Sequence, residues 1–135
     1  MRLRLENRSG YDTDDLARFF LRGLRATGTR VEGLRIVVVA APQRSRGCAA
    51  VGGRDMIIAI AAPWQCRRTD CVRRLSRMFV HECAHIRGID HKQMPRELLY
   101  SLGPTPDWAK GTKIRYRGRA PDQLPFLRKE RVVEI

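Results

Sequence analysis

VHECAHIRGIDHKQMP, residues 80–95, holds every histidine of the chain: His81, His85 and His91. Their spacing decides how the surrounding chain must fold. On an α-helix, residues four apart lie one turn apart on the same side, so His81 and His85 send two imidazoles toward one point. A straight helix cannot bring a third ligand round at a tetrahedral angle. The chain must turn sharply after His85, and Gly88 is the residue that permits it. His91 then returns toward the same point. Three neutral imidazoles leave a fourth position for water, the arrangement of a catalytic metal and not of a closed structural one. Zinc, as one ion, suits imidazoles at tetrahedral spacing, although nickel, cobalt or iron accepts the same donors. Glu82, beside the first ligand, is placed to receive a proton from that water. The alternative, three polar histidines at a helix end with Glu82 in a surface pair, requires a coincidence at every position of the pattern.

Working outward, the pattern predicts a long helix capped by Thr69 or Asp70, running to about residue 87 and stopped by Gly88. On a helical wheel Val72, Leu75, Phe79, Cys83 and Ile86 gather on one face as the core stripe. His81 and His85 share a neighbouring face, with Glu82 between them and the core. Arg73 and Arg77 point elsewhere, toward solvent. Cys83 thus faces inward as a small apolar filler, not as a ligand.

Upstream, residues 2–6 alternate like a half-buried strand, and 12–15 supply a cap and early acidic charge for a helix stopped at Gly28. The β-branched run 34–41 reads as a central strand ended by Pro42. Residues 46–51 and 56–62, joined through Gly52-Gly53-Arg54-Asp55, read as a hairpin closed by Pro63. Downstream, 95–102 reads as a short helix stopped by Gly103-Pro104. The expected fold is a single α+β domain over 1–135, a small mixed sheet packed on the motif-bearing helix and a second, N-terminal helix. Residues 104–135 form a basic C-terminal extension with four prolines, mostly loops, with short strands near 113–117 and 131–135.

The net charge is +13, almost all of it from arginine, since lysine occurs only at 92, 110, 113 and 129. That balance fits a polyanion partner, usually nucleic acid. It fits equally a solvated arginine-rich surface, because the charge is spread along the chain. No run approaches the ~20 apolar residues of a membrane helix, so no membrane partner is expected. The start MRLRLENRSG lacks the apolar segment of a secretory signal, which points to the cytoplasm. Four cysteines, Cys48, Cys66, Cys71 and Cys83, form no C-x-x-C pair. Cys66 and Cys71 are near enough to bridge under oxidising conditions, but free thiols are expected in the cytoplasm. Nothing in the sequence sets the oligomeric state.

His81-Glu82-x-x-His85-x-x-Gly88-x-x-His91 resembles the elongated zinc signature of the metzincin metallopeptidases at all five fixed positions. The element order before the motif is similar to the first half of that zincin-like fold. The resemblance implies a zinc endopeptidase with Glu82 as general base and a peptide substrate lying along an exposed strand edge, here residues 47–51. Metzincins also place a methionine in a turn well beyond the third histidine. Here Met94 is three residues on, no methionine follows, and Met94 reads as a core residue. A second stretch, His85-Ile86-Arg87-Gly88-Ile89-Asp90-His91, looks like that of the YbeY-type endoribonucleases, which share the three-histidine spacing, an Asp before the last His and a similar size. That family usually lacks Glu after its first His. Glu82 favours the peptidase; Asp90, size and charge favour the nuclease. Asp90 either orients an imidazole or caps the segment after the turn. Tyr100 and Tyr116 either stabilise an oxyanion or pack. A non-catalytic basic metal-binding module is the third reading.

Overall fold

The computed structural model describes residues 3–41, 48–52, 54–65, 68–118 and 131–134. Alternation in the first segment makes strand β1 (Arg4–Asn7), with Leu3 and Leu5 fully buried. Helix α1 (Thr13–Thr27) starts where the Asp12 side chain accepts from the Asp15 amide, and ends at Gly28 at φ 67°. Strand β2 (Arg35–Ala40) follows. Strands β3 (Cys48–Gly52) and β4 (Asp55–Ile60) pair antiparallel as the expected hairpin. A 3₁₀ turn at Pro63–Gln65 leads into helix α2 (Arg68–Ile86). Thr69 and Asp70 therefore lie inside its first turn and do not cap it.

Strand β5 (Arg131–Glu134) completes a mixed sheet of order β3-β4-β2-β1-β5. The central strands β4, β2 and β1 are parallel, and β3 and β5 are antiparallel edges. Parallel neighbours need a crossover, which α1 supplies between β1 and β2. The fold is thus mixed α+β, with both long helices on the core. Leu16, Phe19, Phe20 and Leu24 of α1 meet Leu75, Phe79 and Cys83 of α2 over Leu5, Ile36, Val38, Met56 and Ile58 of the sheet. The rings of Phe20 and Phe79 lie 4.9 Å apart. Gly23 lets the helices approach this closely, because a Cβ there would stand 2.6 Å from the Phe79 ring.

Residues 104–118 fold back onto this core. A 3₁₀ turn at Asp107–Ala109 buries Ala109 completely and sets Trp108 5.0 Å from the Phe19 ring. The strand expected near 113–117 is only a single bridge, Tyr11 to Tyr116. What holds this segment is charge. Asp15, buried in α1, accepts from the Arg115 amide at 3.0 Å and the Arg115 Nε at 2.9 Å. Arg117 Nε donates to Asp12 at 2.7 Å.

The hydrogen bonds from Arg115 hold the Asp15 carboxyl well below the usual aspartate range. A carboxylate whose pKa falls on folding stabilises the fold above its unfolded pKa, and that stabilisation disappears as pH drops. Asp15→Asn should therefore melt at a lower temperature than the parent chain at pH 7. The gap should close as pH is taken below about 4, where aspartate protonates in the unfolded chain. A gap that stays constant with pH would mean that the pair does no such work.

Candidate metal centre

Helix α2 carries the first two histidines and buries its other face. Of the predicted stripe, Leu75, Phe79 and Cys83 are buried, while Val72 and Ile86 are partly buried against the core; Ala84 is buried as well. Burial pushes the Cys83 thiol up to about 11, so it is a neutral filler at neutral pH. After Ile86 the helix unwinds over a turn in which the Gly88 amide donates to the His85 carbonyl at 2.9 Å and the Ile89 amide to the Ala84 carbonyl at 3.0 Å. Gly88 has φ 88° with open space where a Cβ would stand. Its requirement is conformational and not one of room.

Beyond the turn, His91 opens a 3₁₀ turn, His91–Gln93, closed by a capping box. Asp90 accepts from the Gln93 amide at 3.1 Å, and the Asp90 amide donates to the Gln93 side chain at 3.0 Å. Of the two roles open to Asp90, the structure selects the cap. Met94 follows as a buried residue. Helix α3 (Arg96–Leu99) then lies against α2. It is shorter than the expected 95–102, because Ser101 turns to φ 52° and ends it.

The three imidazoles converge on one point. His85 Nε2 lies 3.2 Å from His81 Nε2 and 3.0 Å from His91 Nε2. His81 is buried, His85 half-buried and His91 exposed, so the cluster opens to solvent on one side. The far nitrogens are committed: His81 Nδ1 lies 2.8 Å from the Leu98 carbonyl and His85 Nδ1 2.9 Å from the Ile89 carbonyl. A carbonyl only accepts, so both rings carry the proton on Nδ1 and present a bare Nε2 lone pair inward. Two lone pairs at 3.2 Å repel unless a cation lies among them. The donor set thus fits a metal ion with imidazole preference, with carbonyls orienting the ligands from behind. The His81, His85 and His91 cluster can hold a metal ion.

Glu82 is 6% exposed, and its Oε1 lies 3.9 Å from His81 Nε2. Burial raises the pKa of its carboxyl, against a downward pull from the three histidines. The tyrosines do not join the site. Tyr116 packs edge-on to Tyr11 and Trp64, and Tyr100 is exposed at the end of α3.

Two expectations need correction. Arg73 and Arg77 do not simply face solvent. Arg77 Nε donates to the Leu102 carbonyl and Arg73 Nη1 reaches the Gly103 carbonyl at 3.4 Å, because the turn after α3 folds over that face of α2. Cys71 is disulfide-bonded, where a free thiol was expected; spacing along the chain does not reveal which thiols a fold brings together. Cys66 lies outside the described residues. The carbonyls of Leu98 and Ile89 were missed as well, since a backbone acceptor carries no residue-type signal.

Set against protein-family profiles, curated proteins and solved structures, the chain matches none of them.

Gly88→Ala should destabilise the metal-free protein by about 1–2 kcal/mol, the cost of a Cβ in left-handed backbone, and weaken metal binding by shifting His91. Denaturant unfolding and metal titration check both; an unchanged midpoint would show that the turn accepts L-residues freely. His85→Ala should abolish the rise in melting temperature produced by added zinc, because a ligand set that exists only in the fold links binding to stability. Equal zinc-induced shifts in parent and variant would place the ion elsewhere.

Proposed function

We propose that the chain is a zinc-dependent metallohydrolase that cleaves peptide bonds, with His81, His85 and His91 holding the ion and Glu82 as general base. The observation that carries this reading is a buried carboxylate set against three imidazoles whose Nε2 atoms face one another. A zinc ion at such a site supplies an acidified water and a Lewis acid for a peptide carbonyl. Glu82 accepts the proton at a carboxylate oxygen and later delivers it to the departing amine nitrogen. Helix α2 fixes that carboxylate one residue from a ligand, so it moves with the site. A substrate strand is received along β3, which is an edge of the sheet and runs beside α2.

The endoribonuclease alternative rests on the His85–His91 stretch with its Asp90, the small size of the chain and the +13 charge. A lasting disulfide at Cys71 fits an oxidising setting. Among the described residues no helix is long and apolar enough to cross a membrane.

Zinc-loaded protein should cleave an unfolded protein and leave structured RNA intact, with chelator abolishing the cleavage. RNA cleavage alone would replace this reading with the nuclease; cleavage of neither would leave a binding module. Glu82→Gln should keep zinc yet lose about 10²–10⁴ in turnover, the usual range for general acid–base catalysis. Full activity in that variant would remove Glu82 from the chemistry.

A further inference from the structure

The imidazole of His81 is oriented by a carbonyl on a helix of only four residues, and such a helix is not self-supporting. Its C-terminal end is also strained. The Leu102 amide bonds back to Glu97 and the Ser101 amide to Leu98, which forces Ser101, a residue with a Cβ, to φ 52°. A conformation of this kind persists only where its surroundings over-determine it. The surroundings here are two arginines of α2: Arg73 Nη1 reaches the Gly103 carbonyl at 3.4 Å, and Arg77 makes the closer contact. Arg77, one turn before His81 on the same face of α2, donates Nε to the Leu102 carbonyl. Its guanidinium also lies flat on Gly103, where a Cβ would stand 2.7 Å from Nη2. The Arg77 side chain itself is 18% exposed, while its acceptor Leu102 lies at the surface.

We infer that Arg77 is a positioning residue for the metal centre: by latching the 101–103 turn onto α2 it holds the Leu98 carbonyl where it fixes the Nδ1–H form of His81. This rests on the metal reading above, and it goes beyond it by assigning a role to a residue that touches neither ion nor substrate. Two effects of removing Arg77 have opposite signs. Deleting a positive charge near a cation site strengthens metal binding through Coulomb's law. Releasing the carbonyl that orients a ligand weakens it, by 10–100-fold in known metal sites. The sign of the change therefore tells which effect governs.

The test uses the full chain with three readouts: zinc affinity by chelator competition, melting of the metal-free protein, and the His81 tautomer from long-range ¹H–¹⁵N spectra without metal. Arg77→Ala should bind zinc about tenfold more weakly and lose the single Nδ1–H form of His81, with the metal-free protein still melting cooperatively. Glu97→Gln should bind zinc as the parent does, because Glu97 is exposed and 3.9 Å from Arg77, so the latch acts through the carbonyl and not the ion pair. Gly103→Ala, which displaces the guanidinium from the other side, should reproduce the loss and decides the matter if Arg77→Ala does not fold. Unchanged or tighter zinc binding in Arg77→Ala, or an equal loss in Glu97→Gln, overturns the inference. If the parent binds no zinc, the metal reading fails, and the tautomer spectra alone judge the latch: a His81 Nδ1–H form lost in Arg77→Ala upholds it, and one retained defeats it.

Discussion

The convergence of three ring nitrogens on one point is the constraint around which the site is arranged. Two of the imidazoles are held by carbonyls in the tautomer that leaves Nε2 bare. The Nε2 of His85 lies 3.2 Å from that of His81 and 3.0 Å from that of His91, a spacing that a central cation satisfies. The two ligands on α2 keep their places because the helix is anchored elsewhere: Phe79 and Cys83 are fully buried against α1 and the sheet. The helix face that holds the ligands is therefore rigid for reasons unconnected with the ligands.

The third ligand is held differently. His91 is exposed and sits on a single 3₁₀ turn, joined to α2 by a glycine at positive φ and closed by the Asp90–Gln93 capping box. The capping box fixes the local backbone at little cost, since both of its partners are polar and exposed. The centre is thus two ligands on a buried helix plus one on a short, locally closed turn. Such a division places the cluster at the surface while keeping Glu82, on the helix, out of bulk water. A carboxylate in that setting keeps a raised pKa through desolvation even with three imidazoles nearby.

How much of this was legible in the sequence depended on how local the physics was. Helix α1 was readable at both ends, because the Asp12 cap and Gly28 stop act within a turn of where they stand. The histidine spacing and Gly88 were readable for the same reason. The edge position of β3 was read from the hairpin and its small side chains, and the strand order agrees. The rest was not legible, because it joins distant segments or backbone atoms. Asp15 meets Arg115 across a hundred residues. β5 returns to pair with β1. Arg77 finds a carbonyl, which every residue has, on a turn 25 positions away. The helical wheel turned Arg77 toward solvent, because it cannot show that another segment covers that face.

The arginines bear on substrate class in a way that net charge does not. Arg54 donates to the carbonyls of Arg30 and Glu32. Arg87 donates to Thr29, Arg77 to Leu102, and Arg115 and Arg117 to the two aspartates at the start of α1. Arg4, Arg8 and Arg35 surround the buried Glu6 within 3.9 Å. These guanidinium groups keep their charge, so the protein retains a positive field that attracts any polyanion at a distance. Several of their N–H donors, however, those of Arg54, Arg77, Arg87, Arg115 and Arg117, are directed at the chain itself. Phosphate recognition by arginine depends on a free bidentate fork. Committed forks contribute attraction without register, the pattern of salt-sensitive, non-specific association. A charge of +13 therefore does not by itself distinguish a polyanion partner from arginines that brace the fold.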